Sequence, residues 1–126
     1  SKKFYLVQGG ISESKLLEKT KDKLIMKLYI NTTSNKQTTV RLDDLELVKE
    51  SGIWKSQIVL PMIDELLKSK KVNISDITEI EVATGPGSFT GIRVGMSVAQ
   101  ALGYALNISV NGKKPQNLEP LEASYD

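Results

Sequence analysis

The sequence predicts an α/β fold in which a mixed β-sheet is covered by two helices, and three features predict it. Residues 24–50 contain three short runs of alternating or β-branched residues separated by turn-forming residues. Two longer apolar stretches with helical spacing follow at 53–70 and 90–106. A glycine-rich segment joins a short apolar strand to the second helix. The resulting order, β-β-β-α-β-α-β, is a meander followed by two crossover units, with both helices on one face.

The three N-terminal strands are expected at 24–31, 38–42 and 45–50. Turn-forming residues lie between them at 32–35 and 43–44, so the strands form an antiparallel meander.

The first helix, expected at 53–70, is apolar around more than one narrow stripe. The residues expected to face the sheet are Val59, Ile63, Leu66 and Leu67. Trp54, Ile58 and Met62 are expected further round the helix, where they contribute to a contact surface for a partner. Pro61 should bend or break this helix, because it removes one backbone hydrogen bond.

The second helix, expected from about Thr90 to Leu106, carries a ridge of small residues spaced by four: Gly91, Gly95, Ala99 and Gly103. Such a ridge lets another backbone approach closely. It suits either an internal helix pair or a helical contact with a partner subunit. The residues expected to face the sheet are Val94, Val98, Ala101, Leu102 and Ala105. Asn107 is expected to end the helix.

A glycine-rich loop shapes the connection into this helix: Gly85, Pro86, Gly87, Ser88 and Thr90 are its structural residues. A strand, glycine loop and helix can hold a phosphate. However, the glycine spacing is neither a dinucleotide fingerprint nor a P-loop. Ser88 or Thr90 is better suited to capping the helix than to nucleophilic attack.

The composition excludes several kinds of chemistry. The 126-residue chain has no cysteine and no histidine, which rules out thiol nucleophiles, Ser-His-Asp relays, zinc knuckles and histidine metal sites. The paired carboxylates, including Glu79 and Glu81, are expected on solvated faces. We therefore predict no catalytic residue, no metal and no cofactor.

Charge and hydropathy indicate the expected location of the protein and the kinds of partner that it binds. The net charge of +2 gives no argument for direct nucleic-acid binding. No apolar run is long enough for a membrane span, so a cytoplasmic protein is expected. We expect an N-terminal extension at 1–22, a single lobe at 23–112 and a C-terminal tail at 113–126.

The segment Gly85-Pro86-Gly87-Ser88-Phe89-Thr90-Gly91-Ile92-Arg93-Val94-Gly95 resembles the glycine motif of the TsaB (YeaZ) family. The preceding helix from Ser56 to Leu67 and the opening Tyr29-Ile30-Asn31-Thr32-Thr33 are similar to the same family. The resemblance covers about residues 24–110. It implies the first lobe of the ATPase fold shared by actin, sugar kinases and heat-shock chaperones.

The resemblance also implies a function. Members of this family support a related subunit, TsaD, which carries the metal and transfer chemistry that makes threonylcarbamoyladenosine at position 37 of transfer RNA. The helices of the first lobe form the family's dimer interface. A TsaD-like subunit is therefore the expected partner, with a TsaE-like ATPase and a second copy of the chain as further candidates.

Two features depart from the family pattern. Asn31 replaces the usual aspartate, which weakens any case for magnesium-nucleotide chemistry, and Lys55-Ser56 replaces a common His-Ser pair. Most members also continue into a second lobe, whereas a short tail follows Val110 here. Truncation, a minimal variant and a fragment all remain open.

The leading hypothesis is a non-catalytic scaffold that binds a TsaD-like subunit through its two helices. One alternative is a nucleotide-binding or enzymatic lobe that uses the 85–91 loop with Arg93. The other is a self-associating module.

Overall fold

The computed structural model describes residues 25–52 and 54–114. The predictions for the extension at 1–22, and for all of the tail except Lys113 and Lys114, lie outside the described residues.

Five strands and two α-helices follow one another in the predicted order. They are β1 (Lys27–Asn31), β2 (Gln37–Leu42), β3 (Leu45–Glu50), α1 (Lys55–Lys70), β4 (Glu79–Val82), α2 (Phe89–Leu106) and β5 (Ser109–Val110), with one 3₁₀ turn (Ile74–Asp76) between α1 and β4.

The strands form one mixed sheet in the order β3-β2-β1-β4-β5. The first three strands are antiparallel neighbours, whereas β4 runs parallel to β1 and β5 runs parallel to β4. The two helices contact each other, and they pack on the same face of the sheet. The predicted α/β class and the predicted mixed sheet are thus confirmed.

The core forms where alternate residues of the central strands meet the helices. Leu28 on β1 lies between Leu42 on β2 and Ile80 on β4, and all three are buried. The same arrangement repeats two residues along the strand, at Ile30. The period of two therefore gives the sheet one apolar face against the helices.

The opposite face of the sheet is polar. Lys27 on β1 forms an ion pair with Glu81 on β4 at 2.9 Å, and Arg41 pairs with Glu46 at 3.1 Å. The contact with Glu81 raises the pKa of the Lys27 ammonium. Exposed pairs of this kind contribute little to stability. The prediction that Glu81 lies on a solvated face is confirmed.

Helix α1 covers β2 and β3 and runs without interruption through Pro61, so the expectation of a break there is wrong. The four residues predicted to face the sheet are all buried: Val59, Ile63, Leu66 and Leu67. Met62 is buried as well, with 1% of its surface exposed, so it does not contribute to an exposed contact surface. The reason is helical spacing, because Met62 is three residues after Val59 and four before Leu66.

Helix α2 faces the sheet with its ridge of small residues, and three of the residues predicted to face the sheet, Val94, Val98 and Leu102, are partly buried against the core beside that ridge. Its fully buried small residues are Gly91, Gly95, Ala99 and Gly103, the ridge that was assigned to a partner interface. A Cβ atom on Gly91 would overlap the Thr32 carbonyl, and one on Gly103 would overlap Val110. The small residues are needed because the helix lies close to its own sheet. Conversely, Ala101 and Ala105, predicted to face the sheet, are exposed.

We predict that Gly95→Ala lowers the free energy of unfolding by about 1–3 kcal/mol, despite the better helix propensity of alanine. The added Cβ would lie 2.5 Å from the hydroxyl oxygen of Thr32, which is fully buried. Chemical denaturation of the full chain measures the change.

The matched control is Ser97→Ala, on the exposed side of the same helix. It should stay within about 0.5 kcal/mol of the wild type. Equal stability of Gly95→Ala and the wild type would contradict the close approach of α2 to the sheet.

Candidate functional site

The carboxyl end of β1 is joined to the first turns of α2 by the side chain of Thr32. Its hydroxyl donates a hydrogen bond to the Gly91 carbonyl and accepts one from the Gly95 amide at 3.1 Å. These two backbone groups are four residues apart, the spacing that an α-helix pairs internally. The buried hydroxyl thus ties the helix to the sheet at one fixed position.

The loop between β4 and α2 is held against the end of β1. The Ser88 amide donates to the Thr33 carbonyl at 2.9 Å, and a Cβ on Gly87 would overlap the same carbonyl. Gly85 and Gly87 both have positive φ angles, 126° and 157°. The glycines therefore serve a close backbone contact and a sharp turn.

Ser88 is the N-cap of α2, as the sequence predicts, and its hydroxyl accepts a hydrogen bond from the Gly91 amide at 3.2 Å. Of the other loop residues, Gly85 and Gly87 are half-buried, whereas Pro86 and Thr90 are exposed. The amides of Ser88 and Gly91, which an anion at this loop would need, already have partners within the chain.

Asn31 is also engaged in local structure. Its side-chain oxygen accepts hydrogen bonds from the Thr33 amide at 3.0 Å and the Thr33 hydroxyl at 2.7 Å. Its amide nitrogen donates to the Tyr29 hydroxyl at 3.1 Å. The residue that replaces the family's aspartate therefore shapes the turn after β1.

Lys55, at the start of α1, is buried beside this loop, with 4% of its surface exposed. Its ammonium donates to the Ser51 hydroxyl and to the Gly52 carbonyl, both at 3.2 Å. The end of its aliphatic chain lies against Gly91, where a Cβ atom would come within 2.9 Å of it. Lys55 thus connects the turn before α1 to the first turn of α2.

Burial lowers the pKa of the Lys55 ammonium. Both of its hydrogen-bond acceptors are neutral, so no carboxylate offsets the loss of hydration. Sequence reasoning noted Lys55 only as a departure from the family pattern. A lysine in the first turn of a helix gives no local signal that it will be buried.

The exposed side of α2 carries very little charge for a helix side that faces water. Its exposed residues are Phe89, Thr90, Arg93, Ser97, Ala101, Tyr104 and Ala105. Phe89 is 57% exposed and Tyr104 is 72% exposed. Arg93 is the single charged residue among the 18 residues of this helix. A helix side that faces water is ordinarily rich in charged residues.

The neutral surface continues onto the first half of α1. Its exposed residues are Ser56, Gln57, Leu60 and Pro61, and exposed charged residues appear on α1 only from Asp64 onward. Trp54, immediately before the helix, is 58% exposed. We call the exposed residues of α2, together with Trp54, Ser56, Gln57, Leu60 and Pro61, the outer helical surface.

A groove of about 420 Å³ runs along this surface between the two helices. It is lined by Ser56, Phe89, Thr90, Arg93, Val94, Ser97 and Val98. The Arg93 guanidinium lies over the Phe89 ring, 5.4 Å from its centre. The groove is therefore mostly apolar and has one positive charge.

The residues predicted to form a partner interface do not lie on one surface in the structure. Trp54 lies on the outer helical surface, and Ile58 is half-buried against the core. The other five are buried within the lobe: Met62, Gly91, Gly95, Ala99 and Gly103. Sequence reasoning did not use the position of Arg93 to orient α2. As the only charged residue of that helix, Arg93 indicates which side of it faces water.

The described residues contain neither a metal-binding cluster nor a membrane-spanning helix. The part of the chain that the structure describes holds no group of three or more His, Cys, Asp or Glu side chains arranged to bind a metal ion. In that same part, neither helix has the length and apolar character needed to cross a membrane.

Known proteins match the segment that carries this site. A family model described as "TsaD: tRNA N6-adenosine threonylcarbamoyltransferase" matches residues 55–112. The protein from Buchnera aphidicola subsp. Baizongia pistaciae named "tRNA threonylcarbamoyladenosine biosynthesis protein TsaB" is 44% identical over 50 residues, which are 40% of this chain and 23% of the relative. The Escherichia coli protein of the same name is 35% identical over 57 residues, 45% of this chain and 25% of the relative.

A solved structure, YeaZ from Pseudomonas aeruginosa, matches with a TM-score of 0.61 and 29% identity. The match covers 68% of this chain and 41% of that one. Over the matched part, this chain is similar to the TsaB (YeaZ) family. The likeness to YeaZ also confirms the predicted fold. The chain spans about a quarter of the length of the curated TsaB relatives it matches.

We predict that the stability of the wild type relative to Lys55→Met rises as the pH is raised into the alkaline range. Because burial lowers the folded-state pKa of Lys55 below the ordinary 10.5, the unfolded chain binds more protons between these two values. Stability therefore increases with pH in that window and is independent of this group below it.

Denaturation curves of both proteins, measured at several pH values, give the difference in free energy of unfolding. Groups common to both proteins cancel in this difference. A difference that stays constant across the alkaline range would show that the Lys55 ammonium is not desolvated in the folded lobe.

Proposed function

We propose that this chain is a non-catalytic scaffold lobe in transfer-RNA threonylcarbamoyladenosine biosynthesis and binds a TsaD-like catalytic subunit through the outer helical surface. The observation that carries the proposal is the nearly uncharged exposed side of α2, together with its apolar groove. The family membership of the matched segment and the names of its TsaB relatives supply the biological context.

The chemistry of the outer helical surface favours a protein partner. Large exposed apolar side chains, such as Trp54, Phe89 and Tyr104, mark interaction sites when they share a surface with few charges. Aromatic residues and arginine are also enriched in the centres of protein interfaces. Arg93 over Phe89 supplies both.

A scaffold role agrees with the chemistry of the loop. The sequence has no histidine or cysteine, and the polar groups of Asn31, Ser88 and Thr32 are used in hydrogen bonds within the lobe. The competing hypothesis, a nucleotide-binding lobe, needs free amides at the 85–91 loop. The amides of Ser88 and Gly91 are already bonded.

The proposed setting is the cytoplasm, where transfer RNA is modified. A second copy of this chain and a TsaE-like ATPase are the other candidate partners. A TsaD-like subunit is favoured because the matched segment, residues 55–112, contains both helices and itself resembles the TsaD family model. Related lobes can pack as pseudo-symmetric pairs through equivalent surfaces.

We predict that Ser97→Glu weakens binding of the full chain to the TsaD-family subunit of the same organism by about tenfold or more, because the new carboxylate lies one helical turn after Arg93, pairs with its guanidinium and places an ion pair in the groove that a partner would have to desolvate. Ser97 is exposed and lines the groove, so the folded lobe should tolerate the change. Isothermal titration calorimetry measures the affinity.

The matched control is Ser69→Glu, an exposed serine in the charged half of α1. It should bind like the wild type. If the wild-type chain does not bind the TsaD-family subunit, or if both variants bind equally well, the outer helical surface is not the docking site and the proposal fails.

A further inference from the structure

We infer that Arg93 is the specificity determinant of the groove, and that it selects a partner helix carrying a carboxylate among apolar residues. This inference rests on the proposed function and specifies the chemistry of the partner at that surface. The observations that support this inference are the charges of the described residues around the groove.

Arg93 has no ionic partner within the lobe. Among residues 25–52 and 54–114, no carboxylate lies within ion-pair distance of its guanidinium, whose recorded contact is the Phe89 ring. Helix α2 contains no acidic residue, and the other groove-lining residues are neutral. The groove thus offers one exposed, uncompensated positive charge.

The acidic residues of the neighbouring helix are engaged elsewhere. On α1, Asp64 pairs with Lys68 at 3.0 Å and Glu65 pairs with Lys49 at 3.2 Å. Both lie beyond the first half of the helix, which is the half that reaches the groove through Ser56. Within residues 25–52 and 54–114, no carboxylate is thus available to Arg93.

Covering the groove makes a carboxylate necessary. An apolar helix laid between α1 and α2 would remove water from the Arg93 guanidinium, and an unpaired buried charge is strongly unfavourable. A carboxylate restores the lost interactions through two parallel hydrogen bonds, which match the planar guanidinium. The Phe89 ring beside the guanidinium limits its movement, which lowers the entropy cost of forming such a pair.

A second copy of this chain fits the groove less well. A two-fold contact brings the same patch from both copies together. Two such patches supply two Arg93 side chains and no carboxylate. The charge of the groove therefore favours a different polypeptide over self-association.

The test compares Arg93→Met with the wild type, using the full chain and the TsaD-family subunit of the same organism. Methionine keeps much of the apolar stem and removes the charge. We expect Arg93→Met to bind about tenfold more weakly or worse, and to show a smaller dependence of affinity on salt concentration. Sedimentation equilibrium should show that it self-associates at least as strongly as the wild type.

Arg41→Met is the matched control, because Arg41 lies on the opposite face of the sheet and pairs with Glu46. It should leave affinity and salt dependence unchanged. Thermal unfolding of both variants should stay close to that of the wild type, since both arginines are on the surface.

The binding measurements have three informative outcomes. Weaker binding with a reduced salt dependence for Arg93→Met alone supports the inference. Wild-type binding that Arg93→Met leaves unchanged overturns the inference while the scaffold proposal stands. Absence of wild-type binding overturns both.

Discussion

The arrangement of the lobe depends on the close approach of α2 to the end of β1. The buried Thr32 hydroxyl bonds to two backbone groups of the helix, and glycines at 91 and 95 leave room for it. A longer side chain at either glycine would push the helix away from the sheet and break these bonds. The hydrogen bonds of Thr32 to α2 can therefore form only while positions 91 and 95 are glycine.

This contact determines how the rest of the site is arranged. Because the glycines at 91 and 95 face inward, the opposite side of α2, with Phe89 and Arg93, faces outward. The buried Lys55 then packs on Gly91 and bonds to the turn before α1, so both helices are positioned from the same point. The groove between them follows from this packing.

Much of the fold could be predicted from the sequence because its signals are local. Alternation in the first three strands, the helical spacing of Val59 and Leu66, and the stop at Asn107 each act within a few residues. The glycine motif also indicated the TsaB (YeaZ) family, to which the matched segment is similar.

The orientation of α2 could not be obtained in the same way. Small residues permit close packing against a helix or against a sheet, and periodicity does not distinguish the two. The position of Arg93 would have resolved this ambiguity, whereas the burial of Lys55 depends on the turn at Ser51 and Gly52, which meets it only after folding. Met62 was placed too far round α1, whereas its helical spacing from Val59 and Leu66 puts it on the buried side.

The division of α2 into two unlike sides has a consequence for how such a lobe can change. Its inward positions are constrained by steric exclusion, whereas outward positions such as Ser97 and Ala101 are exposed. Recognition can therefore be rewritten by substitutions at the outward positions without disturbing the scaffold beneath. A combinatorial library restricted to those positions would sample new binding preferences on a backbone that remains constant.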